Sequence, residues 1–384
     1  MIEIRNKRDC CGCNACVQKC PQQCIGQSED AEGFIYPQVD KARCVGCGLC
    51  EKVCPVINQN PKSKPLKVMA GRNGNEEIRM QSSSGGVFTL LAEQIIGRGG
   101  VVFGARFDEN WNVVHSYTEC TDGLAAFRGS KYVQSRIGET FRQAREFLRQ
   151  GCEVLFTGTP CQIAGLHRFL GKEYDNLFTM DIVCHGVPSP GVWKEYLKQT
   201  TQNLSPIARI VGINFRDKRT GWKEYSFTLH LSSPDKEVLH TEKFYRNKYM
   251  RGFLANLYLR PSCHQCPSKS GKSGADITLA DFWGIEHIVP SMDDDKGTGL
   301  ILVNTAKGKC MYNTLPIISQ EVEYEQALKG NHVIEISVPI PSQRECFFDN
   351  FGKENFFRLI DRLTKEPLKT RLRRAAGRFI KRLR

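Results

Sequence analysis

Long apolar runs are absent from this sequence. No uninterrupted stretch approaches the roughly 20 residues that a membrane-spanning helix needs, although hydrophobic residues make up 40% of the 384 positions. The first residues, MIEIRNKRD, contain no apolar signal core. From these two absences we expect neither a membrane-spanning helix nor export, and hence a cytoplasmic protein.

The net positive charge is small outside one end of the chain. The formal net charge is +13, but residues 362–384 hold ten Lys and Arg against one Glu, a local charge of +9. Subtracting this leaves only +4 for the rest of the chain. Nucleic-acid-binding domains usually carry a basic patch or stripe. We therefore expect no nucleic-acid partner for the body of the protein.

The basic end, residues 361–384, is predicted to form an amphipathic helix. Leu368, Leu372, Ile380 and Leu383 recur at helical spacing, and Lys and Arg fill much of the remainder. This pattern suits an anionic membrane surface and predicts peripheral contact at the inner face of the membrane. The alternatives are a solvated end, a helix docked on an acidic partner and, less favoured, an RNA-binding segment.

Cysteine is abundant, with 18 residues. Reducing cytoplasm keeps thiols free, and clustered thiols there usually bind metal. Residues 10–21 and 44–55 each contain the repeat C-x-x-C-x-x-C-x-x-x-C-P. Two complete copies are typical of ferredoxins with two [4Fe–4S] clusters and disfavour a zinc site or redox-active dithiols. Cys11 and Cys24 lie outside the repeats, and we expect them to be free thiols or packing residues. The alternative for Cys24 is a position near a cluster.

In two-cluster ferredoxins the fourth cysteine of each repeat binds the cluster of the other repeat. This rule predicts that one cluster is bound by Cys10, Cys13, Cys16 and Cys54, which we call the first thiol set. The other cluster is bound by Cys44, Cys47, Cys50 and Cys20, the second thiol set.

The chain is predicted to have an α+β (mixed α/β) fold in two domains and a tail. A ferredoxin-like domain covers residues 1–60, a Pro- and Lys-containing linker covers 58–67, and a larger mixed-sheet domain covers 68–360. Alternating apolar patterns in the larger domain predict both strands and helices. The predicted strands are 67–72, 101–108, 113–119, 153–156, 177–183 and three within 207–244, and the predicted helices are 87–96 and 137–150.

The larger domain carries four thiols at the ends of predicted elements. Cys161 begins a helix, where the helix dipole favours a thiolate. Cys184 follows an apolar strand, and Cys263 and Cys266 form a C-x-x-C turn. Together these four residues form the third thiol set, which suits either a third [4Fe–4S] cluster or a tetrahedral zinc.

A Ser- and Gly-rich turn precedes the helix predicted over 87–96. Its sequence, SSSGG at 82–86, can place free N–H groups around a phosphate at the helix start. Ser is also a common N-cap residue and Gly a common turn residue, so an ordinary helix start is the alternative.

The motifs, in their order, resemble the coenzyme F420 hydrogenase/dehydrogenase beta-subunit family. The resemblance covers roughly residues 1–310. It rests on the ferredoxin repeats, SSGG at 83–86, GSKY at 129–132, GTPCQ at 158–162, CHGVP at 184–188, the C-x-x-C turn and ADITLADFWG at 275–284.

This resemblance implies that the larger domain binds FAD and a third [4Fe–4S] cluster. The cluster would be held by Cys161, Cys184, Cys263 and Cys266. The residues expected along the FAD are Ser83, Ser84, Gly85, Gly86, Lys131, Thr157, Gly158 and Thr159.

The expected function is that of a flavin-dependent iron–sulfur oxidoreductase. Electrons from reduced ferredoxin, or another redox partner, would pass through the clusters and FAD to a hydride acceptor or an organic substrate. The expected substrate is a small molecule or a lipid-linked compound, and a surface-polysaccharide pathway is one pathway in which it could occur. The alternative is a non-catalytic electron-transfer subunit that docks on a separate catalytic protein. His185 and Tyr132 can donate a proton to a substrate or serve the structure, and no catalytic residue is assigned.

Overall fold

The computed structural model describes residues 1–204, 207–234 and 236–365. The predicted amphipathic helix of the basic tail therefore lies almost wholly outside the described residues. Within the described ranges, no helix is both long enough and apolar enough to cross a membrane.

The N-terminal module is built from two short strands and two short helices. Strands β1 (Ile25–Glu29) and β2 (Ile35–Val39) pair antiparallel. Helices α1 (Ala15–Lys19) and α2 (Leu49–Lys52) each follow a residue in the left-handed conformation, Asn14 and Gly48 respectively. These left-handed residues turn the chain into the short helix within each cysteine repeat.

A large mixed sheet forms the centre of the second domain. The strands β4, β6, β7 and β11 run parallel to one another, while the strands at both margins run antiparallel to their neighbours. The spatial order is β13 (Ile317–Glu321), β3 (Lys67–Asn73), β12 (Gly299–Val303), β11 (Ile277–Asp281), β7 (Leu177–Ile182), β6 (Val154–Gly158), β4 (Val101–Phe107) and β5 (Val113–Thr118).

A second, antiparallel sheet and the remaining helices surround the large sheet. The smaller sheet has the order β10–β9–β8. Its strands are β8 (Arg209–Asp217), β9 (Ser226–Ser233) and β10 (Lys236–Lys243). The helices are α3 (Glu76–Gln81), α4 (Val87–Gly97), α5 (Thr140–Arg149), α6 (Pro160–Leu170), α7 (Pro190–Leu204), α8 (Lys248–Leu254), α9 (Ala306–Asn313), α10 (Tyr324–Gly330), α11 (Arg344–Asn350) and α12 (Phe356–Leu363).

The predicted fold class is confirmed, because a small ferredoxin-like region precedes a larger domain with a mixed sheet. The predicted strands and helices of the larger domain all occur, with ends shifted by at most a few residues. The apolar runs at 101–103 and 154–156 are completely buried because both faces of the central sheet are covered. The domain boundaries at 60, 68 and 360 stay predictions.

The N-terminal module packs on the face of the large sheet covered by α5 and α6. Cys11, Cys13 and Val53 join the same buried cluster as Phe141 of α5 and Phe169 of α6. Close approach is possible because small residues lie at the contact. This packing places the first thiol set directly beside α6, the helix that begins next to Cys161 of the third thiol set.

Candidate iron–sulfur centre

The first thiol set lines one cavity of about 160 Å³. Its wall includes three thiols of the first repeat and Cys54, which comes from the second repeat. Apolar side chains such as Ile2, Val17 and Val56 complete much of the lining. Four thiols of this arrangement around one apolar cavity fit a cubane cluster, and the position of Cys54 fits the exchange of the fourth ligand between repeats.

Free thiolates are unfavourable in this cavity. Burial raises the pKa of the Cys16 thiol to about 12 and also raises the pKa of Cys54. Neighbouring thiols, Cys10 among them, raise both pKa values further. Bound metal cations supply the positive charge that deprotonates such thiols, so the donor set fits an iron–sulfur cluster.

The second thiol set lies nearer to the surface. Cys20 and Cys50 are buried, Cys44 is part-buried and Cys47 is exposed. The backbone N–H of Ile2 donates to Cys50 Sγ at 3.3 Å. Such N–H···S bonds are one means by which proteins tune cluster potentials.

Cys24, which the repeat pattern leaves out, lies against the second thiol set. Its Sγ is 3.4 Å from Cys20 Sγ. The interaction with Cys20 raises the pKa of Cys24 to about 11, with burial adding to the effect. The signal that could have found it is its position four residues after Cys20, at the start of β1.

The structure brings the third thiol set together at the ends of three separate elements. Burial raises the pKa of Cys184, and the neighbouring thiols Cys263, Cys161 and Cys266 raise it further. Val187 N–H donates to Cys263 Sγ at 3.4 Å, and Cys266 N–H donates to Ser337 Oγ at 3.0 Å. Four part-buried thiols that face one another fit a metal cluster.

The environment of Cys161 differs from the sequence expectation. The thiol does begin α6, where Thr159 and Gln162 form a capping box. However, the contact with the Cys11 thiol, followed by burial, raises its pKa well above the ordinary value. Burial and a neighbouring thiol therefore outweigh the helix dipole, which contributes only a few tenths to about 1 kcal/mol at an exposed site.

Cys11 connects the first and third thiol sets. It is 5% exposed, and its thiol interacts with both the Cys13 thiol and the Cys161 thiol. Sequence reasoning left Cys11 as a free or packing residue, because nothing local shows that Cys161 lies beside it.

Among the described residues, no three His, Cys, Asp or Glu side chains are grouped to hold a single metal ion.

The residues expected along a flavin meet at the carboxyl edge of the parallel strands. Ser83 Oγ lies 2.7 Å from Ser130 Oγ, which places the Ser-rich turn beside Lys131. His115 Nε2 lies 3.0 Å from the carbonyl oxygen of Thr157, at the end of β6. The Lys131 cation helps burial to lower the pKa of His115 to about 4, so Lys131 faces the same place. Cofactors of α/β proteins commonly bind at this edge.

The hydroxyl groups of the Ser-rich turn already have partners within the protein. Ser84 Oγ donates to the carbonyl of Thr298 at 2.8 Å. Gly85 lies so close to β3 and β12 that a Cβ would stand 2.4 Å from the carbonyl oxygen of Gly71. Gly86, with φ +77°, is the N-cap of α4. The free N–H groups of the first turn of α4 are thus the part of this segment left to bind an anion.

Two lysines at this edge have only carbonyl oxygens as hydrogen-bond partners. Lys131 Nζ donates to the carbonyls of Phe127, Arg128 and Gly129, and burial lowers its pKa to about 7. Lys218 Nζ is held in the same way by three carbonyls, one of them that of Ser84.

Burial, followed by the positive charge of Arg79, lowers the pKa of Lys218 to about 7. Cations of this kind are suited to an anionic group such as a diphosphate. Sequence reasoning missed Lys218, which directly follows β8 of the smaller sheet.

A buried ion pair joins the smaller sheet to the large one. Arg216 of β8 donates to both carboxylate oxygens of Asp281, at 2.8 and 3.1 Å, and to Tyr132 Oη at 3.3 Å. Trp222 Nε1 donates to the same carboxylate at 3.0 Å. The hydroxyl of Tyr132, which sequence reasoning considered as a proton donor, is therefore hydrogen-bonded within this network.

His185, the other proton donor considered, is also engaged. Its Nε2 is 2.6 Å from Asn256 Oδ1, and burial lowers its pKa.

The second described cavity, of about 30 Å³, lies beside Cys184 and is lined in part by the buried Asp181. Neither described cavity is lined by the Ser-rich turn or Lys131.

Comparison with known proteins gives two family matches. Residues 151–327 match the C terminus of the coenzyme F420 hydrogenase/dehydrogenase beta subunit. Residues 9–58 match the 4Fe–4S dicluster domain. No functionally curated protein matches the sequence significantly. Among solved structures, a chain of the xenon-derivatised F420-reducing [NiFe] hydrogenase complex from Methanosarcina barkeri is 16% identical, with a TM-score of 0.45; the alignment covers 71% of this chain and 92% of that chain.

Proposed function

Since residues 151–327 match the C terminus of the coenzyme F420 hydrogenase/dehydrogenase beta subunit and residues 9–58 match a 4Fe–4S dicluster domain, we propose that the chain is a flavin-dependent iron–sulfur oxidoreductase. It takes electrons from a reduced ferredoxin-type donor and passes them through three [4Fe–4S] clusters and FAD to a hydride acceptor or an organic substrate. The iron–sulfur electron-transfer role follows from the family and the dicluster domain. FAD, the third cluster and the donor are the proposed part.

The observation that carries the proposal is the position of Cys11. Cys11 and Cys13 of the first thiol set belong to one buried cluster, and Cys161 of the third set packs against that cluster. The two sets are therefore adjacent across the interface between the N-terminal module and the large sheet. Adjacent cluster sites with little water between them suit electron transfer between the two domains.

Each cofactor has a distinct part of the chain to hold it. When bound, clusters exchange single electrons, whereas a flavin accepts electrons singly and releases them as a pair. The cysteines would hold the clusters, and the burial of the first thiol set would keep water from its cluster. Lys131 and Lys218, in their protonated forms, and the N–H groups at the start of α4 would hold the flavin diphosphate. His115, whose pKa burial lowers to about 4, is neutral at pH 7.

One observation favours a second candidate, a non-catalytic electron-transfer subunit. Residues 151–327 match a family that is described as a subunit of a larger hydrogenase or dehydrogenase. A subunit of that kind exposes its electron-carrying edge to a catalytic partner, whereas an enzyme opens a pocket beside the flavin for a small substrate. Reduction of a soluble hydride acceptor by the isolated chain distinguishes the two, because only the enzyme turns it over without a partner.

Partners are proposed from the sequence. The +9 charge of residues 362–384 supports peripheral contact with an anionic membrane, and such contact suits a lipid-linked substrate of a surface-polysaccharide pathway. Flotation with anionic liposomes tests this contact. Loss of binding on deletion of 366–384 supports it, and unchanged binding contradicts it.

The cofactor content tests the main proposal. The chain is purified anaerobically, and iron, acid-labile sulfide and flavin are measured per polypeptide. About twelve irons with one flavin are expected for three cubane clusters and FAD. About eight irons without flavin would retain the dicluster domain and contradict the flavin-dependent function.

A further inference from the structure

A buried cation contacts the first thiol set. Arg260 is completely buried, at 0% exposure. Its Nη2 donates to Cys10 Sγ at 3.4 Å, and its Nε donates to the carbonyl oxygen of Cys10 at 2.8 Å. The same guanidinium donates to Gln134 Oε1 at 2.9 Å and to the carbonyl oxygen of Ile35 at 3.1 Å. All three guanidinium nitrogens are therefore engaged, and one reaches a predicted cluster ligand.

No carboxylate balances this charge among the described residues, whose ion pairs do not include Arg260. Its other neighbours are the rings of Tyr36, with the centroid at 4.2 Å, and Phe34, at 5.4 Å. A buried cation without a counter-charge is costly. A thiolate-ligated cluster beside Cys10 supplies the missing negative charge, which explains why an arginine can occupy this position.

The packing around Arg260 leaves little freedom. Gly12, with φ +73°, lies against it, and a Cβ on Gly12 would stand 3.0 Å from the guanidinium carbon. The Arg260 backbone N–H donates to the carbonyl of Val187 at 3.0 Å, and Cys263 follows three residues later. Arg260 thus extends from the segment that carries the third thiol set into the interior of the first.

The second thiol set has a different electrostatic environment. Its Cys47 is exposed, and Gly46 and Gly48 have no heavy atom within 4 Å of an added Cβ. Water therefore reaches this set, and no arginine is hydrogen-bonded to its thiols among the described residues. Reduction of a cluster adds one negative charge, so a cation held in a poorly solvated site stabilises the reduced form.

We propose that Arg260 is a positioning residue that raises the reduction potential of the cluster on the first thiol set above that of the cluster on the second. This inference rests on the proposed function. With both clusters bound, a reduced one-electron donor would reduce the cluster at the exposed second set. The electron would then pass to the cluster beside Arg260, next to the third thiol set, and the cluster at the second set would be reoxidised. The charge of one side chain thus sets the inward direction.

The test uses the full chain, purified anaerobically with its clusters, as wild type, Arg260→Gln and Arg260→Lys. Iron and sulfide are measured first, and EPR-monitored redox titration then gives the midpoint potential of each cluster. In Arg260→Gln the higher of the two dicluster potentials is expected to fall, with at least a tenfold change in its reduction equilibrium, or about 59 mV for one electron. The lower of the two dicluster potentials is expected to remain unchanged, so the gap between the two midpoint potentials becomes smaller.

Arg344→Gln is the matched control. Arg344 also joins the N-terminal module to the second domain, through both carboxylate oxygens of Glu32, but it contacts no cysteine. This variant is expected to keep the wild-type potentials. Arg260→Lys keeps the charge but loses the guanidinium fork, so a smaller fall of the same potential is expected. If Arg260→Gln loses iron, the midpoint potentials of Arg260→Lys are used in its place to test the effect of Arg260.

Three results would overturn the inference. The first is a fully loaded Arg260→Gln or Arg260→Lys with an unchanged gap, and the second is an equal shift of both potentials. The third is a wild type with fewer than about eight irons and no [4Fe–4S] signal, which would also remove the proposed function. The first two leave that function intact.

Discussion

Gly165 of α6 lies directly against Cys13: a Cβ on Gly165 would stand 2.9 Å from the Cβ and 3.0 Å from the Sγ of Cys13. The absence of a side chain at this helix position is what allows the N-terminal module to approach the large sheet. The same approach brings the first thiol set to the start of α6.

The first prediction concerns this contact. Gly165→Ala is expected to displace Cys13 and to lower the iron content by up to about four per chain, the content of one cluster. Overpacking of this kind also costs about 1–3 kcal/mol of stability. Iron analysis and thermal unfolding measure the two effects. Gly97→Ala in α4 is the control, because nothing lies within 4 Å of its added Cβ; unchanged iron in Gly165→Ala would contradict the contact.

The second prediction concerns the exchange of ligands between the repeats. Cys54 belongs to the second repeat by sequence, but it lines the cavity of the first thiol set. Cys54→Ala is therefore expected to remove the same EPR signal as Cys13→Ala and to spare the signal removed by Cys50→Ala. The exposed Cys310 provides the control substitution, Cys310→Ala, which should keep all signals. Loss of the Cys50-dependent signal in Cys54→Ala would contradict the assignment.

Local patterns in the sequence predicted the elements but not the contacts between them. The strands at 101–108 and 177–183 are recognisable because consecutive apolar residues are buried on both faces of a central sheet. Short repeats with fixed spacing likewise indicate the ligands of the dicluster domain, since each turn alone determines which thiols face inward.

Contacts between distant residues explain what sequence reasoning missed. Arg260 and Cys10 are separated by 250 positions, and Arg216 and Asp281 by 65. Neither pair leaves a periodic or spacing signal, because the partners meet only after the two sheets and the module have packed. The neighbourhood of Cys11 was hidden for the same reason.

The third prediction tests the third thiol set. Cys184→Ala is expected to lower the iron content by about four per chain while the dicluster signals persist. Metal analysis also checks the alternative left open by the sequence: loss of one zinc with unchanged iron would identify a zinc site. Cys120→Ala, at an exposed thiol outside all three sets, should retain the wild-type metal content.

The fourth prediction concerns the proposed flavin site. Lys131→Gln is expected to lower the flavin content per chain at least tenfold at limiting FAD, because it removes a positive charge that the proposal places beside the diphosphate; a tenfold change corresponds to about 1.4 kcal/mol. Iron content should not change. Lys309→Gln, at an exposed lysine of α9, is the control. Equal flavin content in both variants would remove Lys131 from the site.

The last prediction follows from Lys218, which is 4% exposed. Its pKa is lowered from 10.5 to about 7 in the folded chain. Between about pH 7 and pH 10 the unfolded chain therefore binds more protons at this position than the folded chain. Stability must then rise with pH across this window, by up to about 1.4 kcal/mol per pH unit. Below about pH 7 the folded and unfolded chains both bind the proton, so the cost of burying the charged lysine no longer changes with pH.

Lys218→Met removes this proton uptake, so its stability should depend less steeply on pH between 7 and 9 than that of the wild type. The slope is the informative quantity, because the variant also leaves three carbonyl oxygens without their donor and lowers stability at every pH. Anaerobic melting temperatures at pH 7, 8 and 9 give that slope, with Lys309→Met expected to follow the wild type. Parallel curves for Lys218→Met and the wild type would mean that the Lys218 ammonium stays protonated when the chain folds, and that its three carbonyl partners compensate for burial.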